Sequence, residues 1–510
     1  LLGIHSFLML ASYTKTMKTR TFIHGFAGKK ILKKFPYNIL VCTLIVLLLL
    51  LTNAAFAQPT TATYWLQGRN ADDAPLTTYQ ARRERVLAAL TGKSFLVMFA
   101  AQARNRQNDV QYEYRQNSDM FYCSGFGEAG SSLILAPSGI TLPDSLDSSR
   151  AKHTAILFVD EATPREELWT GAITGSKRAQ KLYGIKTLGN EHLRGVLDVM
   201  LAKHDTAFIT GLPTPLVIEP LTGDTLDLEE TLPERCAKKF PNITIRSHHR
   251  LLGELRKIKD AAEIELLRKT VTITIAGHRE TIESVRPNQY EYEAEAVMES
   301  AFKRRGAEDV GYPSIVGAGA NSCVLHYTTS RRQMRSGELL LMDCGAEYHN
   351  YTADITRTVP VNGKFTPEQR EIYNLVYAAQ EAAIKEYRKN NDWRKPHSRA
   401  VEIVRAGLLK LGVITNPDDY KLYFPHGSVH YIGLDVHDAG SYGLFQPNMV
   451  LTCEPGIYIP ENSPCDKKWW NIGVRIEDDV LITDGEPEVL SAALPRTAEG
   501  IERLMKGRKK

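Results

Sequence analysis

Residues 339–373 read LLLMDCGAEYHNYTADITRTVPVNGKFTPEQREIY, and the two aspartates in this stretch decide how the C-terminal half is built. The apolar run Leu339 to Met342 closes on Asp343, and Asp354 opens a second short run. Glu338 to Asp343 and Asp354 to Val359 read as strands joined by a Gly- and Asn-containing connection, which lets both carboxylates face one pocket from neighbouring strands. A helix start follows at once. Thr366 is placed as N-cap, Pro367 as the first helical residue and Gln369 as the closing member of a capping box, opening a helix over Pro367 to Lys389.

Further along, Val450 to Glu454 and Gly473 to Leu481 read as two more strands of the same sheet, with helices near Tyr290 to Arg305 and Arg399 to Leu411. The new strands bring two more carboxylates. Glu454 follows Val450-Leu451-Thr452-Cys453, and Glu477 follows Val474-Arg475-Ile476. Most acidic side chains are solvated surface charges, but one that closes an apolar strand needs a partner. Arg357 or Arg475 serves that need for any single carboxylate, but not for the whole set. Histidines cluster as well: His326 stands alone, and HGSVHYIGLDVH holds His426, His430 and His437, with Gly427 and Gly433 arguing for irregular backbone rather than a zinc-binding helix. Asp343, Asp354, His430, Glu454 and Glu477 read as a dinuclear metal site. Four converging carboxylates repel one another and take up protons unless about two divalent cations lie between them. A hydrolase is the leading expectation.

The chain has 510 residues, enough for two domains, and a formal net charge of +4. That charge misleads, because residues 1–57 hold seven Lys or Arg and no Asp or Glu, so the remainder is net acidic. Nothing points to a nucleic-acid partner. The basic residues Lys18, Arg20, Lys29, Lys30, Lys33 and Lys34 precede the apolar run Ile39 to Leu51 and then Ala55-Phe56-Ala57. This is the pattern of a secretory signal cleaved before Gln58, since the run is shorter than the ~20 residues of a membrane span. The expectation is therefore an exported protein, periplasmic or secreted, with no stable membrane span once the signal is removed. Because the chain opens on Leu1, Met17 is expected as the start and residues 1–16 as an extension. Seven cysteines show no CxxC spacing; Cys344 and Cys453 adjoin two proposed ligands and are expected to pack behind the site as small apolar residues.

Residues 58–75 read as a polar lead-in. Beyond them, a helix-like stretch (Ala81 to Leu90) and apolar strand candidates at Ser94 to Phe99, Ser131 to Ala136 and Thr154 to Val159 describe an α/β domain over 76–250. A charged segment, Leu252 to Asp260, then leads into a long helix over Ala261 to Val285, which opens the second domain, 251–505.

The segments YRQNSDMFYCSGF (from Tyr114), LHYTTSRRQM (from Leu325), the opening stretch, FPHGSVHYIGLDVHD (from Phe424), LTCEPGIYIP (from Leu451) and NIGVRIEDDVLIT (from Asn471) resemble aminopeptidase P. These are the Xaa-Pro aminopeptidases of the metallopeptidase group that includes prolidase and methionine aminopeptidase. The resemblance implies an α/β (α+β) chain, a creatinase-like N-terminal domain followed by a pita-bread catalytic domain with two divalent metal ions, usually manganese. It implies Asp343 as ligand of one ion, His430 and Glu454 as ligands of the other, and Asp354 and Glu477 as bridges. Glu454 is the expected proton carrier, His326 and His437 line the cleft and stabilise the intermediate, and His426, Tyr458 and Arg475 shape a proline subsite. The implied substrates are peptides with proline in second position, and the implied assembly is a homodimer or homotetramer. An oxygen-rich site with one imidazole independently favours a hard ion such as manganese.

The expected activity is hydrolysis of the bond between an N-terminal residue and a penultimate proline. The alternative is a prolidase restricted to Xaa-Pro dipeptides; a catalytically inactive binding protein on the same fold is weaker, since all five ligands are present. One departure bears on specificity: Thr329-Ser330-Arg331-Arg332 places basic residues where the family often has an acidic residue and Asn. The segment Glu461 to Trp470, with its paired tryptophans, is expected as a rim loop or an oligomer contact.

Overall fold

After its opening serine the strand Ser94–Phe99 (β1) is apolar, and its alternate side chains enter two different cores. Leu96 and Met98 join Leu133, Leu135 and Leu157 on one face of a sheet, while Phe95 and Val97 join Ile134, Ile156 and Val196 on the other. This is the consequence of a period-two backbone covered on both sides. The sheet contains β1, Ser132–Thr141 (β2), Lys152–Val159 (β3), Lys186–Gly189 (β4), Thr206–Ile209 (β5) and Thr244–Arg246 (β6), in the order β6-β5-β1-β2-β3-β4. β1 pairs antiparallel with β2 and parallel with β5. The first of its two cores is continuous with that of the C-terminal half.

The computed structural model describes residues 73–209 and 238–507, with the backbone of two short strands at Val217–Ile218 and Thr225–Leu226. The expected export signal over 1–57, the expected start at Met17 and nearly all of the expected lead-in 58–75 lie outside the described residues. Among the described residues no helix is long and apolar enough to cross a membrane.

Helix α1 (Leu76–Ala89) begins five residues earlier than its apolar pattern predicts, because Pro75 supplies the first carbonyl, accepting from the Thr78 N–H at 2.9 Å. Its Arg82 is buried, donates to Asp260 at 2.8 Å and lies over the rings of Tyr79 and Tyr122. Asp260 is also the N-cap of the long helix α4 (Ala261–Ser284), in a capping box with Glu263. One aspartate thus joins the two halves and starts the helix that opens the second, a cap of this kind contributing about 1 kcal/mol. Helix α2 (Ser118–Ser124) packs in the N-terminal half, and the segment Leu252 to Asp260, read as a charged lead-in, is partly helical because α3 (His249–Arg256) runs into it. The charges of Arg256 and Lys259 are buried in this linker, not solvated.

In the C-terminal half, α5 (Glu291–Lys303) precedes the strands β7 (Ile315–Ala318), β8 (Leu339–Asp343), β9 (Ala346–Tyr348), β10 (Tyr351–Thr352) and β11 (Thr356–Pro360). β8 to β11 form one long hairpin with a gap. Asp343 pairs with Thr356 on one side of the gap and Glu347 with Thr352 on the other, in a single register that sets Gly345 opposite Asp354. A Cβ at Gly345 would lie 1.7 Å from the Ala353 carbonyl oxygen, so no other residue fits this crossing. The tip, His349-Asn350, has positive φ at both positions, as a two-residue hairpin turn requires.

The second hairpin repeats the plan with β12 (Val450–Cys453), β13 (Gly456–Ile459), β14 (Ile472–Arg475) and β15 (Asp478–Leu481). Cys453 pairs with Asp478 and Gly456 with Arg475, one register that sets Glu454 opposite Glu477 in the gap. The expected single strand Gly473 to Leu481 is therefore two strands broken at Ile476-Glu477. Nor is there one continuous sheet: β12 and β15 lie in one ladder, β13 and β14 in a second, and β7, β8 and β11 in a third. The Thr358 hydroxyl seals the seam between β11 and β14, donating to the Arg475 carbonyl at 3.0 Å and accepting from its N–H at 3.2 Å.

The helix α6 (Pro367–Ile384) starts with the predicted capping box but ends before Lys389, where Tyr387 turns inward to donate to the Thr452 carbonyl. α7 (Arg394–Lys410) starts five residues early, and Pro396 is accommodated because it lies in the first turn. α8 (Ala498–Lys506) closes the chain. Trp469 is buried in the main core and half-buried Trp470 donates its ring N–H to the Ser463 carbonyl of its own loop.

Candidate active site and metal centre

The gaps of the two hairpins open into one cavity of about 600 Å³. Every sequence-predicted site residue except Tyr458 lines it: Asp343, Asp354, His430, Glu454 and Glu477, with His326, His426, His437 and Arg475. Tyr458 lies directly behind, joined to His426. Cys344 and Cys453 are fully buried and contribute nothing to the cavity wall, as expected for apolar packing.

His430 gives the clearest reading of the chemistry. Its Nδ1 lies 3.1 Å from the Tyr431 carbonyl, which can only accept, so Nδ1 carries the proton and Nε2 presents a lone pair. That lone pair faces Asp354 Oδ2 and Glu454 Oε1, each at 3.5 Å. Burial, with His437 adding, pushes the imidazole pKa down to about 4, so the ring is neutral at physiological pH. A neutral nitrogen lone pair pointed at two carboxylates is repulsive unless a cation lies between them. Asp354, His430 and Glu477 bring one ligand atom each within 4.8 Å of one another.

The carboxylates agree. Burial pushes the carboxyls of Asp354, Glu454 and Glu477 well above the usual range, and the neighbouring acids push them further: Asp343 and Asp479 on Asp354, Glu477 on Glu454, and Asp354 on Glu477. One Glu477 oxygen accepts from Thr356 at 2.7 Å, but the other is buried with no protein partner. Among the described residues lining the cavity, Arg475 alone is a lysine or arginine, and it donates to Asp343 at 2.6 Å. The donor set therefore fits divalent cations, and Asp343, Asp354, His430, Glu454 and Glu477 are the residues that can hold them.

A directed hydrogen-bond chain runs along one wall. Arg475 Nη1 donates to the Tyr458 hydroxyl at 2.9 Å; Tyr458 donates to His426 Nε2 at 2.9 Å, since His426 Nδ1 is committed to the Gly427 carbonyl at 2.6 Å. Burial holds His426 at a pKa of about 4, consistent with that neutral tautomer. Arg475 thus ties this wall to Asp343. Arg357, the other arginine considered for the carboxylates, pairs instead with buried Asp478 at 2.7 Å on the far side of the strand.

Three residues at the site escaped the sequence reading. The Tyr312 hydroxyl lies 2.7 Å from both Asp343 Oδ1 and Asp354 Oδ1, Thr356 holds Glu477, and the buried Asp479 accepts from the Asp354 N–H at 3.2 Å. Thr356 and Asp479 each follow a proposed ligand by two positions, so strand alternation could have found them. Tyr312 lies in a turn and carries no such signal. The basic residues near His326 turn away from the cavity: Arg331 lies over the Tyr292 ring, and Arg332 pairs with Glu338.

Fold and site define a metal-dependent hydrolase with an oxygen-rich centre. Residues 265–484 match the model of metallopeptidase family M24, and residues 79–209 match that of the aminopeptidase P N-terminal domain. The Xaa-Pro aminopeptidase of Haemophilus influenzae is 37% identical over 445 residues, covering 84% of this chain and 97% of the relative. The Xaa-Pro aminopeptidase of Escherichia coli is 35% identical over 448 residues, with the same shares. Among solved structures, zinc-substituted E. coli aminopeptidase P in complex with product superposes with a TM-score of 0.75 at 33% identity, over 86% of this chain and all of that one. The chain belongs to the aminopeptidase P group of metallopeptidase family M24, with its N-terminal domain and pita-bread catalytic domain.

Proposed function

We propose that this chain removes an N-terminal residue from peptides with proline in second position, using Asp343, Asp354, His430, Glu454 and Glu477 to hold two divalent ions. The metallo-aminopeptidase class rests on the family, and prolidase is not favoured among the relatives. The observation that carries the ligand assignment is the neutral His430 lone pair facing two carboxylates, beside an unpartnered Glu477 oxygen.

When bound, the ions supply Lewis acidity for the scissile carbonyl and a water that is acidic near neutral pH. Glu454 would accept a proton from the attacking water and deliver it to the proline nitrogen as the C–N bond breaks, so the proton gained in one step would be returned in the next. His326 and His437 donate to the oxygen that becomes negative at the tetrahedral stage. His426, Tyr458 and Arg475 form a wall rigid enough to select the proline ring, whose fixed φ and missing N–H set it apart from other residues. Manganese is the proposed ion, because the ligands are carboxylates and one imidazole with no thiolate. Export to the periplasm or medium and assembly as a homodimer or homotetramer complete the proposal.

The test is a matched pair of substrates, an Xaa-Pro dipeptide and an Xaa-Pro-Xaa tripeptide, given to the chain from Gln58 onward with and without manganese. Manganese-dependent cleavage of the tripeptide is the expected result. Cleavage of the dipeptide alone would mean prolidase, and no turnover with metal bound would mean a binding protein.

A further inference from the structure

We propose that Arg256 is a positioning residue for the reaction: it fixes the loop that carries His437, and through it the imidazole, using groups from the N-terminal half. This rests on the assignment of His437 to catalysis made above.

His437 is exposed, and residues 432–438 form neither helix nor strand, so apart from one edge contact with the His430 ring at 4.3 Å neither a core nor a backbone ladder holds it in place. The main chain offers two local bonds, Gly433 N–H to the Asp435 carbonyl at 3.2 Å and Asp438 N–H to the Tyr431 carbonyl at 2.9 Å. Ile432 N–H to the Val450 carbonyl at 3.2 Å and Thr352 N–H to the Gly433 carbonyl at 2.9 Å anchor the start of the loop, and around His437 itself the further restraint is charge. Arg256, at the end of α3 and 3% exposed, donates to Asp119 at 2.7 Å, to Asp435 at 2.7 Å and to Asp438. The carboxylates two residues before and one residue after His437 therefore converge on a single guanidinium. Lys259 adds a second bond to Asp438 at 2.7 Å.

The third carboxylate, Asp119, belongs to the YRQNSD segment of the N-terminal half, and its neighbours reach the same loop. The Ser118 hydroxyl donates to Asp435 at 2.7 Å, and Arg115 donates to the Leu434 carbonyl. His437 also borders two spaces, the catalytic cavity and a second cavity of about 1040 Å³ lined by residues 99–104, 112–119 and Arg256. With open volume on two sides and the His430 ring against a third, the placement of the imidazole follows where its backbone is held. A buried charge cluster adds little net stability but can specify one geometry, and a planar guanidinium fork satisfies several carboxylates in directions an ammonium cannot.

A merely structural salt bridge predicts the same loss of activity whether or not His437 is present. A positioning role predicts that the loss disappears with His437. The metal-loaded full chain is assayed on an Xaa-Pro-Xaa tripeptide as wild type, Arg256→Lys, His437→Ala and the double variant. The expected result is a kcat lower by ~10- to 100-fold for Arg256→Lys, the scale of a small misplacement of a reacting group, with KM nearly unchanged. In the His437→Ala background the same change should cost less than about twofold. Equal losses in both backgrounds would overturn the proposal while leaving His437 in the reaction. A His437→Ala enzyme with wild-type kcat would overturn both the proposal and the assignment of His437. Should Arg256→Lys fail to fold, Asp435→Asn, a partly exposed position in the same cluster, runs the same cycle with the same criteria.

Discussion

The two hairpins of the catalytic half are built alike and finished differently. Each is one register interrupted by a gap, and each gap brings two carboxylates to the cavity. In the first, Asp343 and Asp354 are already served by the protein: Tyr312 touches both, and Arg475 neutralises Asp343. In the second, Glu477 keeps a buried oxygen without partner, and the nearest groups to Glu454 are His430 at 3.5 Å and His426 at 3.7 Å, beyond hydrogen-bond length. The aspartate hairpin is thus braced by the protein's own donors, and the carboxylates of the glutamate hairpin reach the cavity with fewer protein partners.

That contrast can be broken by substitution. Glu454→Gln should keep the fold and thermal midpoint while lowering kcat by at least ~10²-fold, the usual contribution of a proton-transfer group; rates close to wild type would move that role elsewhere. Tyr312→Phe acts on the braced hairpin: metal affinity, followed by titration, should fall ~10- to 100-fold, as for other outer partners of ligands, with kcat recovering at saturating metal. Unchanged affinity would mean that Tyr312 does not orient the aspartates.

A smaller effect separates site charges from structural ones. Burial alone would raise the Asp119 carboxyl, but the hydrogen bond to His248 at 2.9 Å, the His249 ring at 3.7 Å and the Arg256 charge hold it well below the usual carboxylate range. A depressed folded pKa stabilises above the unfolded value of ~4 and is lost as pH falls toward the folded one. The difference in thermal midpoint between wild type and Asp119→Asn should therefore be full at pH 6 and shrink below about pH 4. A difference independent of pH would show that Asp119 acts by packing.

Much of this was legible because the chemistry sits where an apolar pattern stops. Asp343 and Glu454 end apolar runs and Glu477 interrupts one, and a carboxylate in such a place needs a stated partner. The capping box at Thr366 and the long helix after Asp260 were equally plain, since both are local signals. The gaps were not. Gly473 to Leu481 reads as one strand because the residues on either side of Ile476-Glu477 keep the strand pattern, and the break appears only in a change of partner from β13 to β12. Tyr312 and Arg256 were hidden for a related reason: their roles depend on groups 31 to 182 positions away, which no window of sequence reports. The charge on Lys259 is hidden in the opposite sense, since a charged segment gives no sign that this lysine lies buried against Asp438.

The central claim is that the two gaps together hold a pair of ions. Counting metal per chain after equilibration with manganese, in the wild type and in Asp354→Asn, tests it most directly. Two ions in the wild type and a clear deficit in Asp354→Asn are predicted; one ion or none in the wild type, or two retained by the variant, would contradict it.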